Sequence, residues 1–391
     1  MSGTSIDAVD GVLARFDASG NLVRTEGSAS LPIPPDLRQR LTDLQQPLGD
    51  ELARAALAAN DLADLYAQCV WLLLEQASFA PAAVTALAAH GQTVRHRPER
   101  GYTIQLLNGA RLAEKTGIDT VSDLRSADIA AGGQGAPLVP VFHARVFGSP
   151  VSRRAIVNIG GIANITVLEP SGAAAVLGYD TGPGNTLMDA WCEAHRGERF
   201  DKDGQWAASG QVDASLLGRL LAEPYFALDA PKSTGRDLFN AGWLQRQGVA
   251  GLAPADVQAT LLALSAATIA HACQVHQVQE VFVCGGGAAN PQLMQRLRAD
   301  LPGVRVGSTG ELGLQPQAVE ATAFAWLARQ RVMREPGNLQ AVTGASGLRI
   351  LGALHAAPPR DSTPPRARRD PPKGDARPAW GGPAPDSARR E

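Results

Sequence analysis

The chain has 391 residues, enough for two domains of ordinary size or one large duplicated fold. Its 36 Lys and Arg against 38 Asp and Glu leave a net charge of −2, so no global field favours nucleic acid or an anionic membrane as partner. Hydrophobic residues make up 45% with a mean hydropathy of −0.09, and the longest apolar run of note, Cys69 to Leu74, falls far short of the ~20 residues a spanning helix needs; disordered, fibrous and membrane-spanning chains are poor matches.

From the N-terminus, Met-Ser-Gly-Thr-Ser carries neither the basic nor the apolar region of a signal peptide, and a cytoplasmic location is the expectation. GTSIDAVDGVLARF (Gly3 to Phe16) reads as a small polar loop followed by a run in which Val9, Val12, Leu13 and Phe16 pack. A helix is predicted over Glu51 to Gln76, a break at Pro81, and a short apolar approach from Ala86 to Ala89 into HGQT (His90 to Thr93). Arg125 and Asp128 precede a glycine-rich loop, either as a charged pair or as contacts to a sugar or its carboxylate.

AIVNIGGIANITVL (Ala155 to Leu168) predicts a β-hairpin turning at Gly160 and Gly161. Ala174 to Asp180 then reads as a strand, Thr181 to Asn185 as a tight turn, and Thr186 to His195 as a helix burying Leu187, Met188 and Trp191. A long Ala/Leu-rich helix is expected over Asp256 to Gln279, capped by Pro254 and Asp256. Glu280 to Cys284 is a buried-strand pattern running into GGGAANP, where Asn290 suits an N-cap, Pro291 the first helical position, and Leu293, Met294 and Leu297 form an apolar stripe. The last stretch, Pro358 to Glu391, holds nine of the 27 prolines and no hydrophobic periodicity, and reads as a disordered basic tail.

Strands alternating with helices argue for an α/β fold, and the glycine-looped element in each half points to a duplicated domain with a cleft between the halves. Cys69, Cys192, Cys273 and Cys284 form no CxxC pair and are expected reduced and buried; the seven histidines form no zinc pattern.

Glycine-rich loops beside helix N-termini suit phosphate, because backbone N–H groups approach closely and the helix end carries about +0.5 of a charge. A Walker A loop is excluded, since Lys115, Lys202, Lys232 and Lys373 follow Glu, Asp, Pro and Pro and never Gly. Gly285 and Gly287 lack the third glycine of a dinucleotide fingerprint, and no protein-kinase signature is present. Asp180, at the end of a predicted strand before Thr-Gly-Pro-Gly, is where a general base belongs, or else a carboxylate capping the turn. Asp7 and Asp10 read either as turn residues or as holding Mg²⁺ through water beside phosphates.

At this point the motifs match a family. GTSIDAVD, HGQT, DLRSADIAAGGQGAPLVPVFH, NIGGIANIT, GYDTGPGNTLMDAW, PKSTGRDLFN, DVQATL, CGGGAANPQLM, VEATAFAWLA and GNLQAVTGA, in this order from Met1 to about Ala357, resemble the anhydro-N-acetylmuramic acid kinases. The resemblance implies duplicated ribonuclease-H-like (actin-like ATPase) domains closing on ATP with an active-site cleft between them. The first half would be 1–150, completed by 320–357, the second 151–319, with 358–391 the tail. It also implies a cytoplasmic homodimer. The implied reaction opens 1,6-anhydro-N-acetylmuramic acid with water while ATP phosphorylates its 6-oxygen, in cell-wall recycling. Asp180 matches the catalytic aspartate. Gly3, Thr4, Ser5, Ile6, Asp7, Ala8, Val9, Asp10, Gly160, Gly161, Asn164, Gly285, Gly286, Gly287 and Asn290 lie in the expected ATP motifs, with Mg²⁺ reached by Asp7 through water. His90, Gln92, Thr93, Arg125, Asp128 and Glu320 lie in motifs expected to line the sugar site. Ala8 replaces a frequent glycine and Leu124 a common phenylalanine, and the basic tail is extra. Members of the family place a β-strand before the segment at which Met1 stands, so the first half is expected to lack that strand. The alternatives on the same fold are an ordinary sugar or carboxylate kinase and a non-catalytic ATP-binding protein.

Overall fold

The computed structural model describes residues 1–359 apart from 4, 5, 48, 171–175 and 231, and residues 1–357 form one compact unit. The predicted tail falls almost wholly on residues outside those described. The chain begins with β1 (Ala8–Phe16), β2 (Leu22–Pro32), α1 (Pro35–Asp43) and α2 (Glu51–Ala77). It continues through β3 (Leu87–Ala88), β4 (Gln92–Arg97), β5 (Tyr102–Leu106), α3 (Gly109–Thr116), β6 (Thr120–Ser122), α4 (Ser126–Ala130) and α5 (Val139–Phe147). Next come β7 (Arg154–Ile159), β8 (Ile162–Leu168), β9 (Val176–Pro183), α6 (Thr186–Arg196), α7 (Gln205–Ser209), α8 (Ala214–Leu221), α9 (Ala241–Arg246) and α10 (Pro254–Val275). The remainder is β10 (Glu280–Cys284), α11 (Pro291–Asp300), β11 (Arg305–Ser308), α12 (Val319–Met333), α13 (Gln340–Thr343) and β12 (Ala353–His355).

In the second half one five-stranded sheet runs in the order β11-β10-β7-β8-β9. β7, β8 and β9 form an antiparallel meander, while β10 lies parallel to both β7 and β11. This is the ribonuclease-H-like strand order. Alternation along the central strands explains their unbroken apolar runs: Ala155, Val157 and Ile159 of β7 and Val281 and Val283 of β10 face one core, and Ile156, Phe282 and Cys284 face another. The first core is roofed by α10, whose residues are buried all round the helix from Val257 to Ala266, the pattern of a helix enclosed by protein.

In the first half β1 and β2 form a two-stranded sheet, with Ser2 bridging antiparallel to Val9 of β1, and a separate sheet runs in the order β12-β6-β3. The C-terminal segment completes this half. β12 pairs antiparallel with β6, and α12 packs on β1 and β3, its Trp326 Nε1 donating to Gly20 O at 3.0 Å. All four cysteines are free and buried, and among the described residues no helix is long and apolar enough to cross a membrane.

Three local expectations need correction. β9 does not stop at Asp180: it continues through Thr181 to Pro183, pairing Ile162 with Pro183 and Ala163 with Gly182, because a bulge between Ala163 and Asn164 absorbs the turn expected there. α10 starts at Pro254, with Ala253 as its N-cap, and ends at Val275. Beyond it Gln277 turns into the left-handed region (φ 50°), which frees the Gln279 N–H for Arg153 O at the start of β10. The third glycine loop meets α11 only after a 3₁₀ turn over Gly286–Ala289; the Asn290 cap with Pro291 behind it is present as read.

Candidate active site

The turn between β7 and β8 and the end of β9 are built against each other. Gly160 O accepts from Asn185 N at 2.9 Å, and Gly161 O accepts from Gly184 N at 2.9 Å and Thr186 N at 3.0 Å, so the N-terminus of α6 is seated on the glycine hairpin. A Cβ on Gly184 would stand 2.4 Å from Gly160 O, which only glycine avoids. The loop after β10 closes on the same hairpin. Gly285 has φ +78°, and a Cβ there would meet Asn158 Oδ1 at 2.3 Å. Asn158 lies opposite Asn164 in the β7–β8 ladder, so Gly160, Gly161, Asn164 and the Gly285–Gly287 loop are brought to one end of the sheet. Asn290 lies just beyond, where its side-chain oxygen accepts from Gln292 N and Leu293 N, both at 3.1 Å, and so caps α11.

Asp180 enters this region from β9. Its Oδ2 accepts from Ser233 Oγ at 2.9 Å and from Thr234 N at 3.0 Å, and its backbone is fixed by Tyr225 Oη donating to Asp180 O at 2.6 Å and by its own N–H donating to Lys232 O at 3.1 Å. Among the described residues no protein donor reaches Oδ1. Burial pushes the Asp180 carboxyl above the ordinary carboxylate range, against the pull of the Thr234 and Ser233 bonds. This is a carboxylate held in one orientation with one oxygen left over, which can take a proton from water. Asp189, in the first turn of α6, is a second carboxyl raised by burial, to about 7, despite the charges of Arg236 and Arg199 nearby. The sequence reading did not single out Ser233, Thr234 or Asp189. PKSTGRDLFN was visible as a motif, but nothing in its spelling says that it clasps a residue 53 positions earlier.

In the first half, Thr4 and Ser5 of the first loop lie outside the described residues. Ile6 is buried with φ +53°, a strained conformation for a β-branched residue, and Ile6 N donates to Gly3 O at 3.2 Å. The side chains of Ile6 and Val9 point into the first-half core, so at those positions only backbone can serve a phosphate. Asp7 is exposed, and its Oδ1 accepts from Ala8 N at 3.0 Å; Asp10 is exposed on β1.

Beyond β3, His90 and Arg125 do come together. His90 Nδ1 lies 2.8 Å from Gly91 O, and Nε2 lies 2.9 Å from Arg125 Nη2 and 3.2 Å from its Nε, so the ring is neutral with Nε2 the acceptor. Desolvation first and the Arg125 charge second hold this histidine well below its ordinary range. Arg125 Nη1 also donates to Gly135 O at 2.7 Å. Glu320, in the first turn of α12, reaches water yet is hemmed in by protein; burial raises its carboxyl, with Arg125 and the Met1 amine opposing and Asp10 assisting.

The other residues expected at the sugar are placed differently. Asp128 makes no pair with Arg125. It is fully buried, with Oδ1 accepting from Asn338 Nδ2 and Thr343 Oγ1, each at 2.7 Å, and Oδ2 from Gly135 N at 2.8 Å. A carboxylate so filled organises the Gly133–Gly135 loop and has no oxygen to spare for a sugar. Gln92 is buried with Oε1 on Ser2 Oγ at 3.0 Å, and Thr93 Oγ1 accepts from Gln105 Nε2 at 3.2 Å, so both side chains serve the fold.

The family model of anhydro-N-acetylmuramic acid kinase matches residues 1–357. Curated relatives of that description include one from Ralstonia nicotianae, 54% identical over 91% of this chain and 96% of its own length, and one from Thiobacillus denitrificans, also 54% identical over 91% and 96%. Among solved structures, the activator of the 2-hydroxyisocaproyl-CoA dehydratase from Clostridium difficile with bound ADPNP superposes with a TM-score of 0.40 at 12% identity, over 84% of this chain and 96% of that one. A ROK family glucokinase from Streptomyces griseus in complex with glucose and AMPPNP gives 0.37 at 14%, over 83% and 99%.

Proposed function

The chain belongs to the anhydro-N-acetylmuramic acid kinase family, and on that premise we propose how its residues perform the reaction that membership carries. Water attacks the anomeric carbon of 1,6-anhydro-N-acetylmuramic acid, and the bond from that carbon to O6 breaks. The freed O6 takes the γ-phosphoryl group of ATP, giving N-acetylmuramic acid 6-phosphate and ADP. The observation that supports this reading best is the clasp on Asp180: one oxygen held by Ser233 and Thr234, the other open, and a carboxyl raised by burial. Such a group is an aimed general base, and it takes the proton of the attacking water. Arg125, held in place by His90, supplies donors for the polar sugar, with Glu320 accepting from its hydroxyls.

Phosphoryl transfer asks mainly for positioning and charge stabilisation. The β7–β8 turn and the Gly285–Gly287 loop present backbone to the phosphates. Magnesium, when bound with ATP, neutralises charge developing on the transferred group. The exposed carboxylate of Asp7 offers the hard oxygen that Mg²⁺ takes and would hold it through water. Among the described residues no three His, Cys, Asp or Glu side chains converge, which fits an ion held chiefly by phosphate. A cytoplasmic homodimer accompanies the family reading, and light scattering tests the dimer.

The experiment is ADP release from Mg²⁺-ATP in ¹⁸O-labelled water with the anhydro sugar, free N-acetylmuramic acid, or no sugar. Release with the anhydro sugar alone, and label at the anomeric oxygen, is the expected result. Phosphorylation of the free sugar without label in the product would point to an ordinary sugar kinase instead.

A further inference from the structure

The segment that clasps Asp180 carries one more side chain toward the same site. Thr234, whose N–H donates to Asp180 Oδ2, stands two residues before Arg236, so their Cα atoms lie at most about 7 Å apart. From there the Arg236 side chain reaches the glycine hairpin. A Cβ built on Gly161 would stand 3.4 Å from Arg236 Nη2, 3.8 Å from its Nε and 3.7 Å from Thr186 Cβ. The guanidinium therefore lies against the β7–β8 turn, beside the N-terminus of α6.

Protein does not use this guanidinium. Arg236 is exposed, and among the described residues its side chain makes no hydrogen bond and no ion pair. Asp189, in the first turn of α6, feels its charge, and Asp237 is its neighbour in the chain, yet neither takes its N–H groups. Other arginines of this chain are filled: Arg154 Nε donates to Glu280 at 2.6 Å, and Arg125 donates to His90 and to Gly135 O. A planar fork of five N–H donors with a permanent charge, left open beside a backbone turn, matches the oxygens of a phosphoryl group.

The placement also selects the phosphate. The base must stand near O6 of the sugar, because the water it activates attacks the carbon from which O6 departs, and O6 is the atom that takes the γ-phosphoryl group. A side chain rooted beside the clasp and ending on the hairpin spans from that base to the phosphate seat. On the reading of Asp180 as base and of the β7–β8 turn as that seat, we propose that Arg236 is a catalytic residue, whose guanidinium binds the γ-phosphoryl oxygens and stabilises the charge spread over them during transfer. The bond from Pγ to O6 forms with the electron pair of O6. The bond from Pγ to the bridging oxygen breaks, and its pair leaves with ADP. Arg236 keeps its protons throughout and supplies charge alone.

The test compares Arg236→Ala and Arg236→Lys with Arg199→Ala, a second exposed arginine whose charge reaches Asp189. Each full chain is titrated with a non-hydrolysable ATP analogue (AMPPNP) and with ADP, without sugar, and then assayed with the anhydro sugar. In Arg236→Ala, AMPPNP is expected to bind about 10- to 100-fold more weakly and ADP within about threefold of the parent. Its kcat is expected to fall about 10²-fold or more, with the acid limb unmoved and melting unchanged. Arg236→Lys recovers part of the AMPPNP affinity, and Arg199→Ala leaves both affinities within about threefold of the parent. Equal losses for AMPPNP and ADP, or the same selective loss in Arg199→Ala, overturn the proposal, since general charge then explains the effect. A raised KM for the sugar with the AMPPNP-to-ADP ratio unchanged also overturns it, by placing the sugar's carboxylate on Arg236. A moved acid limb with that ratio unchanged does the same, by making Arg236 a brace for the clasp. Because the titrations need no sugar, a chain that shows the selective loss yet opens no anhydro sugar supports the phosphate contact and overturns the reading of the reaction instead.

Discussion

The two halves differ in how their strands are joined into sheets. In the second half β7 is flanked on both sides and covered on both faces, and the loops at its end are packed backbone to backbone, with Gly184 and Asn185 bonded to the Gly160–Gly161 turn. In the first half β1 and β3 lie in separate sheets with a cavity of about 450 Å³ lined by residues of both, and the first loop runs from a bridge at Ser2 into a left-handed Ile6. The glycine turn of the second half is thus fixed by the N-terminus of α6, whereas the described residues of the first loop are tied by the Met1–Asp10 pair and by Ile6 N donating to Gly3 O.

The sharpest test of this contrast lies at the end of the filled sheet. Asp180→Asn is expected to lower turnover by about 10²- to 10⁴-fold with nucleotide binding retained, read by single-turnover ADP release and by titration; turnover within tenfold of the parent would remove Asp180 from its role as base. The packing of the two sheets can be compared directly. Ile156→Ala, in the fully buried middle strand, is expected to cost about 2–5 kcal/mol in urea unfolding, whereas Val12→Ala, beside the cavity, is expected to cost under about 1 kcal/mol. Equal costs would mean that the first sheet is as well packed as the second.

Smaller effects refine the site. Ser233→Ala removes one of the two donors on Asp180 Oδ2 and is expected to lower kcat about tenfold. Burial raises the Asp180 carboxyl and the Ser233 bond lowers it, so loss of that bond raises it further. A base must be deprotonated to act, so the acid limb of kcat/KM moves to higher pH in Ser233→Ala; a shift to lower pH, or none, argues against the clasp. Smallest of all, Asn290→Ala is expected to cost about 1 kcal/mol of stability with ATP affinity unchanged, because the side-chain oxygen is taken up in capping α11. A large loss of ATP affinity would reverse that assignment.

What could be read from the sequence was local. The hairpin over Ala155–Leu168, the run Glu280–Cys284, the Asn290–Pro291 helix start and the buried Leu187, Met188 and Trp191 each rest on a period or a cap spelled within a dozen residues. Asp128 shows the limit. Its neighbours in sequence suggest an exposed charged pair, yet its partners are Asn338 and Thr343, more than two hundred residues away, and no local pattern encodes such a contact. The clasp on Asp180 escaped for the same reason, and so did the continuation of β9, where a bulge in the neighbouring strand decides where the turn falls.

The return of the C-terminal segment also fixes an order of events during synthesis. The second-half sheet is continuous along the chain and has all its strands once Ser308 has emerged from the ribosome. The first half must wait: Ser122 on β6 meets its partner His355 only after another 233 residues, and α12 arrives little sooner. At roughly 5–20 residues per second that is a delay of roughly ten to fifty seconds. Throughout it, the half made first stays open while the half made second closes. A ribosome that stalls between these two points therefore carries a finished five-stranded sheet behind an unfinished one, with the apolar faces of β1 and β3 still waiting for α12.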